Sequence, residues 1–506
     1  MKGCVRTSVK VAAGFLVTVV TGCGGDGNGG YTAPMSTPAP TASFSQPAAS
    51  ASINFGQAAT VAWTSAYTTS CTAATSSAAG GAFTGSQMAS GSQMVVPTAP
   101  GTYTYSLNCT GTGGTVSTSA TLVVDSNLLT ALAPTGAITT VGSTVDPLNG
   151  DVNPYGLVIA PATSGLITKG DLVVCNFNNA VNNSTTPPSG NVQGDGTTII
   201  GLHPTAGSTP YRIAQSADLQ GCNALTMLPD DSISAAAWST VQNPLGENPL
   251  VSASGVVATP FSSDTFAGPW GEAYVAATAT QPAAIYVSNA PGGNINSGGT
   301  IDRISLDGDT QTSFTEIVTG ICSGGAPGGI FGAAGLTYDP SSDTLYVVAT
   351  ASASVIAIAG VSTIGQDGVV VNGQCTGTTP TAVPTFSGPS MASARVIAHG
   401  APFNTPLSAA LLQNGDLVVG NADIGLTTPS ATTNLLIEVS PVVPGGFVGQ
   451  PVQIDTGTPG ALFGIAATVD ASGNQIIYFN DDNNNAVMQL GPVTGNSGPT
   501  PYAVDR

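Results

Sequence analysis

The sequence predicts an all-β chain, on three observations. Glycine, serine, threonine, alanine and valine dominate the composition, and only 7% of the residues are charged. No long segment shows the 3.6-residue apolar period of an amphipathic helix. Short alternating or continuous apolar runs instead recur between clusters of Gly, Pro, Asn and Asp, as in strands joined by turns. With 506 residues, the chain is long enough for two or three such β domains.

The N-terminal residues predict export. Three basic residues fall within the first ten positions, Lys2, Arg6 and Lys10. The apolar segment 11–20 that follows is too short to span a bilayer. Residues 20–23, Val-Thr-Gly-Cys, then resemble the lipobox of bacterial lipoproteins, in which the cysteine becomes the acylated N-terminus of the mature chain. The resemblance implies a lipoprotein signal peptide at 1–22 and lipidation of Cys23.

A membrane partner and a location follow from the same resemblance. Several acyl chains on Cys23 would anchor the protein stably, since a single chain binds a membrane only weakly. The glycine after Cys23 favours the outer membrane by the sorting pattern of enteric bacteria. We therefore expect an outer membrane lipoprotein whose folded part faces the periplasm or the cell surface. Residues 23–42, rich in Gly, Pro, Thr and Ser, predict a flexible tether.

Charge and cysteine content agree with export and exclude some classes of function. The formal net charge is −19, and removing 1–22 takes away basic residues but no acid. So acidic a surface argues against nucleic acid as a partner. Apart from Cys4 and Cys23, the cysteines are even in number, which suits disulfides in an oxidising compartment. None forms a Cys-x-x-Cys pair, which disfavours haem attachment and structural zinc.

Residues 43–126 predict a small β-sandwich. Asp125 is the only charged residue in this stretch, and alternating apolar segments are separated by Gly and Ser turns. Trp63, Cys71, the Pro-Thr-Ala-Pro-Gly-Thr-Tyr-Thr-Tyr run at 97–105 and Cys109 resemble a bacterial immunoglobulin-like domain. In antibody domains the tryptophan lies between the two cysteines, whereas here it precedes both. The resemblance implies a Cys71–Cys109 disulfide and a spacer role.

The clearest repeat unit lies at 463–490. A small apolar run, a turn cluster, a β-branched and aromatic run, a polar loop and an alternating run follow one another there. The order resembles an NHL repeat, in which a Gly-Ile-Ala strand, an Asp-x-x-Gly-Asn turn and a Tyr-Val-Ala-Asp-x-x-Asn-Asn segment form one blade of a β-propeller. The resemblance implies an NHL-like propeller over 127–495, followed by a C-terminal tail at 496–506.

Five looser copies of this pattern precede the clear one, and together they predict a six-bladed propeller after the immunoglobulin-like sandwich. The predicted blades begin at Asn153, Cys222, Gly268, Ala334, Thr405 and Phe463. The second copy is the least distinct, so five or seven blades stay open. We expect the strand at 137–141 to complete the last blade, which would close the ring and remove an exposed sheet edge.

Two further disulfides between neighbouring blades are expected. Cys322 and Cys375 both follow predicted outer strands, and Cys175 with Cys222 would link the first two blades. Sequence spacing alone does not determine either pairing.

Propeller geometry brings two sets of residues to one face, because each inner strand begins on the face that carries the loop between the second and third strands. The apolar set precedes the inner-strand glycines and comprises Tyr155, Trp270, Leu407 and Phe463. The polar set follows the second strands and comprises Asn176, Asn178, Asn179, Asn289, Asn421, Asp423, Asn480, Asp481 and Asp482. Together they predict a channel mouth that binds a ligand. The alternative is that these residues only pack blades together and form turns.

Glu272 interrupts an apolar pattern. It stands where aligned blades have Leu157 and Ile465. A carboxylate facing the channel could bind a cation or act in acid–base chemistry, or could simply be capped by its neighbours. Six-bladed hydrolases of the gluconolactonase type hold a metal in the channel with Glu, Asn and Asp. That resemblance implies Glu272, Asn421 and Asp481 as the matching set, although no motif around them matches.

The expected function is a non-catalytic binding scaffold in the cell envelope, with a protein, glycan or small molecule as ligand. The alternative is a metal-dependent, lactonase-like hydrolase with its site in the channel, and a third hypothesis is a purely structural envelope component. No catalytic residue and no cofactor is predicted, and a divalent cation belongs to the hydrolase alternative alone. His203 and His399 are the only histidines, which is too few for a multi-histidine metal site.

Overall fold

The computed structural model describes most of the folded chain. The described residues are 37–47, 51–55, 57–99, 101–125, 127–135, 138–182, 189–238, 245–261, 266–291, 298–323, 332–373, 382–443 and 445–491. Several predicted features lie outside these ranges, namely the signal peptide, the lipidation site Cys23, Cys375 and the C-terminal tail. Residues 183–188 also lie outside them. None of the helices that the structure describes is long and apolar enough to cross a membrane.

The first folded unit is a β-sandwich of two sheets, with strand orders β1-β3-β6 and β2-β8-β7-β4-β5. Its strands are β1 (Thr41–Gln46), β2 (Ala51–Asn54), β3 (Ala59–Ala66), β4 (Ser70–Thr75), β5 (Gly85–Gln87), β6 (Ser90–Val95), β7 (Gly101–Gly111) and β8 (Gly114–Asp125). Strand β1 therefore starts within the segment expected to be tether.

Alternation along the strands builds the sandwich core. In β7, Tyr103, Tyr105 and Leu107 are buried, while the threonines and serine between them face outward. Phe83 lies at the centre, with its ring 5.3 Å from that of Trp63 in an edge-to-face contact. This packing confirms the two-layer arrangement expected from the alternating pattern.

The predicted disulfide between Cys71 and Cys109 is confirmed. The two cysteines lie directly opposite each other on the neighbouring strands β4 and β7. The bridge therefore joins two strands of one sheet, whereas the antibody disulfide joins the two sheets. Trp63 also departs from the antibody pattern, because it precedes both cysteines in the sequence.

A short helix, α1 (Leu128–Thr135), connects the sandwich to the propeller and was not predicted from the sequence. The Asn127 side chain accepts a hydrogen bond from the Thr130 backbone N–H at 3.2 Å, as an N-cap residue does. Leu129 and Leu132 are fully buried in the same cluster as residues of the last two blades. The helix is thus held by tertiary packing more than by its own propensity.

Six sheets follow in the part of the chain that the structure describes, and they are the blades of a propeller. Each has four antiparallel strands, and one of them is extended by two further strands. Strand β9 (Thr139–Ser143) comes first in the chain but belongs to blade 6. Blade 1 has β10 (Val152–Ile159), β11 (Leu172–Asn178), β14 (Gln193–Leu202) and β15 (Tyr211–Gln215), with a small hairpin of β12 (Val181–Asn182) and β13 (Ser189–Gly190) between β11 and β14. Blade 2 has β16 (Cys222–Met227), β17 (Ile233–Ala237), β18 (Leu250–Val251) and β19 (Val257–Ala258).

Blades 3 to 6 complete the ring. Blade 3 has β20 (Pro269–Val275), β21 (Ala283–Asn289), β22 (Gly299–Asp307) and β23 (Thr310–Ile321). Blade 4 has β24 (Ala333–Asp339), β25 (Thr344–Ala349), β26 (Ser354–Ala359) and, after the strands β27 (Val369–Asn372) and β28 (Thr385–Ser387), β29 (Ala394–His399). Blade 5 has β30 (Pro406–Leu411), β31 (Leu417–Asn421), β32 (Leu435–Val439) and β33 (Phe447–Gln453), and blade 6 has β34 (Leu462–Val469), β35 (Gln475–Asp481) and β36 (Ala486–Leu490). Strands β27 and β28 extend the sheet of blade 3.

The predicted closure of the ring is confirmed. Strand β9 pairs antiparallel with β36, with Gly142 opposite Val487. Val141 is almost fully buried in a cluster with Tyr478 of blade 6 and Leu157 of blade 1. An N-terminal strand therefore completes the C-terminal blade, and the first and last blades become neighbours.

Candidate functional site

The six inner strands share a three-residue pattern around the channel. The first residue is Tyr155, Asn223, Trp270, Ala334, Leu407 or Phe463, the second is Gly, Ala or Ser, and the third is Leu157, Leu225, Glu272, Leu336, Ala409 or Ile465. The register of each inner strand against its second strand shifts at this point. A β-bulge bends the strand locally and re-aims its side chains. The bulges thus turn the first residues toward the channel.

The middle glycines let neighbouring inner strands approach closely. A Cβ atom on Gly271 would lie 2.2 Å from the Ala334 carbonyl oxygen of blade 4. One on Gly464 would lie 2.4 Å from the Tyr155 carbonyl oxygen of blade 1. Only glycine fits such contacts without a shift of the backbone, which explains the recurring glycine in the pattern.

Polar side chains join one blade to the next at the same level. The Asn480 amide donates to the Tyr155 carbonyl at 3.0 Å, and the Ser288 hydroxyl donates to the Ala334 carbonyl at 2.6 Å. The Thr350 hydroxyl donates to the Pro406 carbonyl at 2.7 Å. Each bond satisfies a buried inner-strand carbonyl that has no strand partner on the channel side.

The predicted apolar residues of the mouth are brought together, but they are buried. Tyr155, Trp270, Leu407 and Phe463 belong to one cluster with Phe177 and the half-buried Trp238. The Tyr155 ring stacks on Phe463 at 4.0 Å between centroids and on Phe177 at 4.2 Å. The Trp238 and Trp270 rings meet perpendicularly at 6.2 Å. We call Tyr155, Phe177, Trp238, Trp270 and Phe463 the aromatic plug, because these rings fill the mouth of the channel.

Two members of the plug were missed in the sequence. Phe177 lies near the end of the second strand of blade 1, and Trp238 follows the second strand of blade 2. Second strands end at the mouth, so the rule that selected the polar set would also have found these aromatic residues. Phe177 and Trp238 were not selected from the sequence because only Asn and Asp were considered at these positions.

The predicted polar rim is also buried rather than exposed. Asn421 accepts from the Asn404 backbone N–H at 3.1 Å and donates to the Pro402 carbonyl at 2.9 Å. Asp423 accepts from the Asn404 amide at 2.9 Å. These side chains hold the connection before β30 in place, as Asn and Asp commonly do in turns.

The acidic pair at the end of β35 follows the same pattern. Asp481 is almost fully buried and accepts from the Asn484 amide at 2.7 Å. Burial raises the pKa of Asp481, and burial together with the neighbouring Asp481 raises the pKa of Asp482 to about 7. The Asp481 carboxylate is thus bonded within its own turn.

Beneath the aromatic plug lies a cavity of about 80 Å³ on the propeller axis, which we call the axial cavity. Its wall consists of the three-residue patterns of the inner strands. Ala224, Gly335 and Ser408 in this wall are partly exposed, as are Val158 and Thr337 farther along their strands. The cavity is therefore closed toward the mouth and open toward the opposite face.

Glu272 reaches this cavity, but it does not point straight into the channel. Its Oε1 accepts a hydrogen bond at 2.9 Å from the Ser234 hydroxyl of blade 2, which in turn accepts one at 2.7 Å from the Asn248 amide. In the other five blades the residue at this position is apolar and packs against the preceding blade. Burial raises the pKa of Glu272 to about 8, although Ser234, Asn248 and the Thr226 backbone lower it.

The residues expected to form a metal site do not converge. Glu272 lines the axial cavity, whereas Asn421 and Asp481 do not and are bonded within their own blades. The described residues contain no group of three or more His, Cys, Asp or Glu side chains placed to hold a metal ion. The ligand set implied by the hydrolase resemblance is therefore not formed.

Both histidines have partners at strand ends. His203 Nδ1 lies 2.6 Å from Asp171 Oδ1, and Asp171 also accepts from the Tyr211 hydroxyl at 2.6 Å. His399 Nδ1 lies 3.0 Å from the Ser354 hydroxyl. These contacts are local to blades 1 and 4 and far along the strands from the axial cavity.

The predicted link between Cys175 and Cys222 is confirmed, and it joins the second strand of blade 1 to the inner strand of blade 2. Cys322 is also disulfide-bonded. Its expected partner, Cys375, lies outside the described residues, so that pairing stays a prediction.

No protein-family model matches the chain, and a comparison with curated proteins found no match. Among solved structures, the chain is similar to the calcium-binding protein regucalcin from Agrobacterium tumefaciens, at 13% identity over 71% of this chain and 96% of that one, with a TM-score of 0.41. It is also similar to the β-propeller domain of Swd1 from Myceliophteria thermophila, at 9% identity over 67% and 100% of the two chains, with a TM-score of 0.31. At these values the assignment of a propeller rests on the six sheets themselves.

Proposed function

We propose that the protein is a lipid-anchored, exported scaffold that presents one face of an NHL-like propeller to a binding partner in the cell envelope. In this proposal the immunoglobulin-like sandwich is a spacer, and the anchor is an acylated Cys23. The partner is a protein, glycan or small molecule, and no catalysis is required. The observation that carries the proposal is the attachment of the sandwich to the face opposite the mouth.

That attachment involves blade 5. The Gln57 amide of the sandwich donates to the Asn414 carbonyl at 2.9 Å, and Asn414 lies in the hairpin between β30 and β31. Glu438, which bonds the first amides of α1, lies at the same end of the blade. A chain tethered through the sandwich would thus approach this end, and the mouth would face away from the membrane.

The mouth also carries the longer connections. Three of them, at 179–192, 238–249 and 422–434, exceed most hairpins of the opposite face in length. They expose large aliphatic side chains, namely Val181, Val192, Leu245 and Leu426, each more than two-fifths accessible. Long loops on a rigid scaffold are where binding residues concentrate, and exposed apolar groups favour association.

The hydrolase alternative has less support. A metal-dependent hydrolase needs several ligands that converge on one ion. Glu272, Asn421 and Asp481 instead each hydrogen-bond to a different partner, namely Ser234, the Pro402 carbonyl and Asn484. The scaffold proposal needs only a stable ring with an accessible face.

The anchor is tested by growing cells with an alkyne fatty acid and comparing the intact chain with the Cys23→Ala variant. We expect label and membrane association in the intact chain, and loss of both in the variant. Labelling of the variant to the same extent would contradict the lipoprotein assignment.

The binding face is tested by photo-crosslinking in intact cells. A benzoyl-phenylalanine replaces Val192 or Leu426 at the mouth, or Val256 or Val442 on the opposite face, all of which are exposed to a comparable degree. We expect discrete crosslinked species from the mouth positions only. Crosslinks from the opposite face alone, or equal crosslinking from both faces, would contradict the proposal.

A further inference from the structure

The axial cavity contains two exceptions to the apolar pattern of the inner strands, and they lie side by side. Asn223 is the one polar residue at the first position of the pattern, and Glu272 is the one charged residue at the third. They belong to the neighbouring blades 2 and 3, and the Asn223 amide donates to the Pro269 carbonyl of blade 3 at 2.9 Å. Apart from Ser408 and the ring substituents, the polar side chains of this cavity wall are therefore all on one side.

Each of these side chains has an acceptor oxygen without a hydrogen-bond partner among the described residues. Glu272 Oε2 and Asn223 Oδ1 are both in this state, and both residues are 6% exposed. A buried acceptor left unpaired costs roughly 1–3 kcal/mol, and a charged one costs more. One oxygen of each side chain thus has no donor among the described residues.

The described basic side chains do not supply a positive charge to these oxygens. Arg212 pairs with Asp146, Arg303 donates to the carbonyls of Ser362 and Ile364, and Arg395 donates to the Pro441 carbonyl. Lys169 is exposed in the connection between β10 and β11. A positive group at Glu272 must therefore come from outside the part of the chain that the structure describes.

The end of the cavity that faces the plug is aromatic. Tyr155, Trp270 and Phe463 line it from the side of the plug. Aromatic rings attract cations through the negative face of the ring, most strongly for tryptophan. A single carboxylate offers too few oxygens for Ca²⁺, which takes six to eight, whereas an ammonium group needs only a few acceptors.

We propose that the axial cavity binds a small primary ammonium ion, whose N–H groups donate to Glu272 and Asn223 while its carbon end lies against Trp270 and Tyr155. A volume of about 80 Å³ accommodates a few heavy atoms, since one water needs at least about 10–15 Å³. Entry is from the face opposite the plug. The site is separate from the mouth-face connections of the proposed scaffold, so either proposal can fail without the other.

Isothermal titration calorimetry of the purified mature protein with methylammonium chloride at pH 9, where Glu272 is ionised and methylammonium keeps its proton, tests the inference. Methanol has nearly the same size without the charge, and sodium, potassium and calcium chloride test whether any cation suffices. We expect saturable binding of methylammonium at one site per chain and none of methanol. Equal binding of methanol, tighter binding of calcium, or no binding of methylammonium would overturn the proposal.

Substitutions test whether methylammonium binding depends on Glu272. Glu272→Gln keeps the shape and the bond to Ser234 but removes the charge, and we expect the affinity to fall by at least about tenfold. The matched control is Asp302→Asn, a second buried carboxyl group on the same face of blade 3 that does not line the cavity. Its affinity should stay within about twofold of the original.

The folding of each variant is checked by circular dichroism before titration. If Glu272→Gln does not fold, Asn223→Leu takes its place, and we expect a loss of about threefold or more because one acceptor is removed. Unchanged affinity in a folded Glu272→Gln or Asn223→Leu protein would overturn the assignment.

Discussion

At the scale of single residues, the middle glycines of the inner strands determine how closely two blades can pack. In Gly271→Ala the new methyl group would clash with the Ala334 carbonyl and with the Ser288 hydroxyl. We expect the free energy of unfolding to fall by about 1–3 kcal/mol, as in other overpacked interiors. Urea denaturation measures the change.

The control for that substitution is Gly365→Ala. Gly365 is exposed, and a Cβ atom there would have no atom within 4 Å. We expect its unfolding midpoint to match that of the unchanged protein. A similar loss in both variants would mean that glycine flexibility, and not inter-blade contact, explains the effect.

Glu272 makes stability depend on pH in a defined direction. Its pKa of about 8 in the folded chain exceeds its ordinary value of 4.5, so the folded state holds the proton more tightly than the unfolded state. Stability is therefore highest at low pH and is lost as pH rises from about 4.5 through about 8. Glu272→Gln should match the unchanged protein at pH 5 and exceed its stability by about 1–4 kcal/mol at pH 9.

Urea denaturation at both pH values, without added amine, tests this expectation. Burial also raises the pKa of Asp302, which lies in the same row of blade 3 across Val287. Both proteins retain Asp302, so the difference between them isolates Glu272. An equal decline of stability with pH in the two proteins would show that Glu272 is not the group responsible.

At the scale of elements, helix α1 depends on a buried pair of carboxyl groups in blade 5. Glu438 accepts from the Leu129 amide at 2.7 Å, and the Asn414 amide donates to Glu438 at 3.1 Å and to Asp416 at 3.0 Å. Burial and the adjacent Glu438 raise the pKa of Asp416 to about 8. A proton shared within the pair removes the repulsion between the two carboxylates.

The junction between sandwich and propeller should therefore loosen as the pH rises through about 8, because a second negative charge then forms beside Glu438. Asp416→Asn cannot gain that charge, so the contact between α1 and blade 5 should persist as the pH rises. We expect the hydrogen-exchange protection factor of the Leu129 amide to fall between pH 7 and pH 9 in the unchanged protein only. The Val419 amide, within β31, serves as the internal reference, and a parallel fall in both proteins would contradict the role of Asp416.

Elements differed in how well the sequence predicted them. Strands rich in β-branched and aromatic residues, such as β35, were found because such runs bounded by turn residues are typical of strands. Helix α1 was missed, since Leu128–Thr135 contains a proline and two threonines and gains its stability from packing against blades 5 and 6. Strands β27 and β28 were missed because they add to blade 3 from a connection within blade 4.

At the scale of the whole molecule, the ring is closed by β9. A chain beginning at residue 144 would lack this strand, exposing the edge of β36 and the buried surface around Val487. We expect such a chain to aggregate or to lose its single cooperative unfolding transition, as seen by size-exclusion chromatography and calorimetry. A chain beginning at residue 127 keeps α1 and β9 and should remain monomeric and cooperative. Equal behaviour of the two chains would contradict closure by β9.

The sequence predicted which apolar residues come together at the candidate site, but it did not predict that they are buried. The rule that inner strands begin at the mouth correctly placed Tyr155, Trp270, Leu407 and Phe463 together. It could not show that Phe177 and Trp238 complete a stack that fills the mouth, because ring packing depends on distances between blades. Nor could it show that Asn421 and Asp423 turn inward, since their partners Pro402 and Asn404 lie across a connection.

The sequence by itself determined the all-β class and the order of sandwich and propeller, and it predicted the ring closure. These features follow from local alternation, turn residues and repeat spacing, which are properties of neighbouring positions along the chain. Only the tertiary structure decided that the mouth is closed, that Glu272 bonds to Ser234 of the neighbouring blade, and that a small cavity with unpaired acceptors lies beneath the plug. Those outcomes depend on which side chains meet across blades, and such contacts arise when residues distant in sequence pack to interior density.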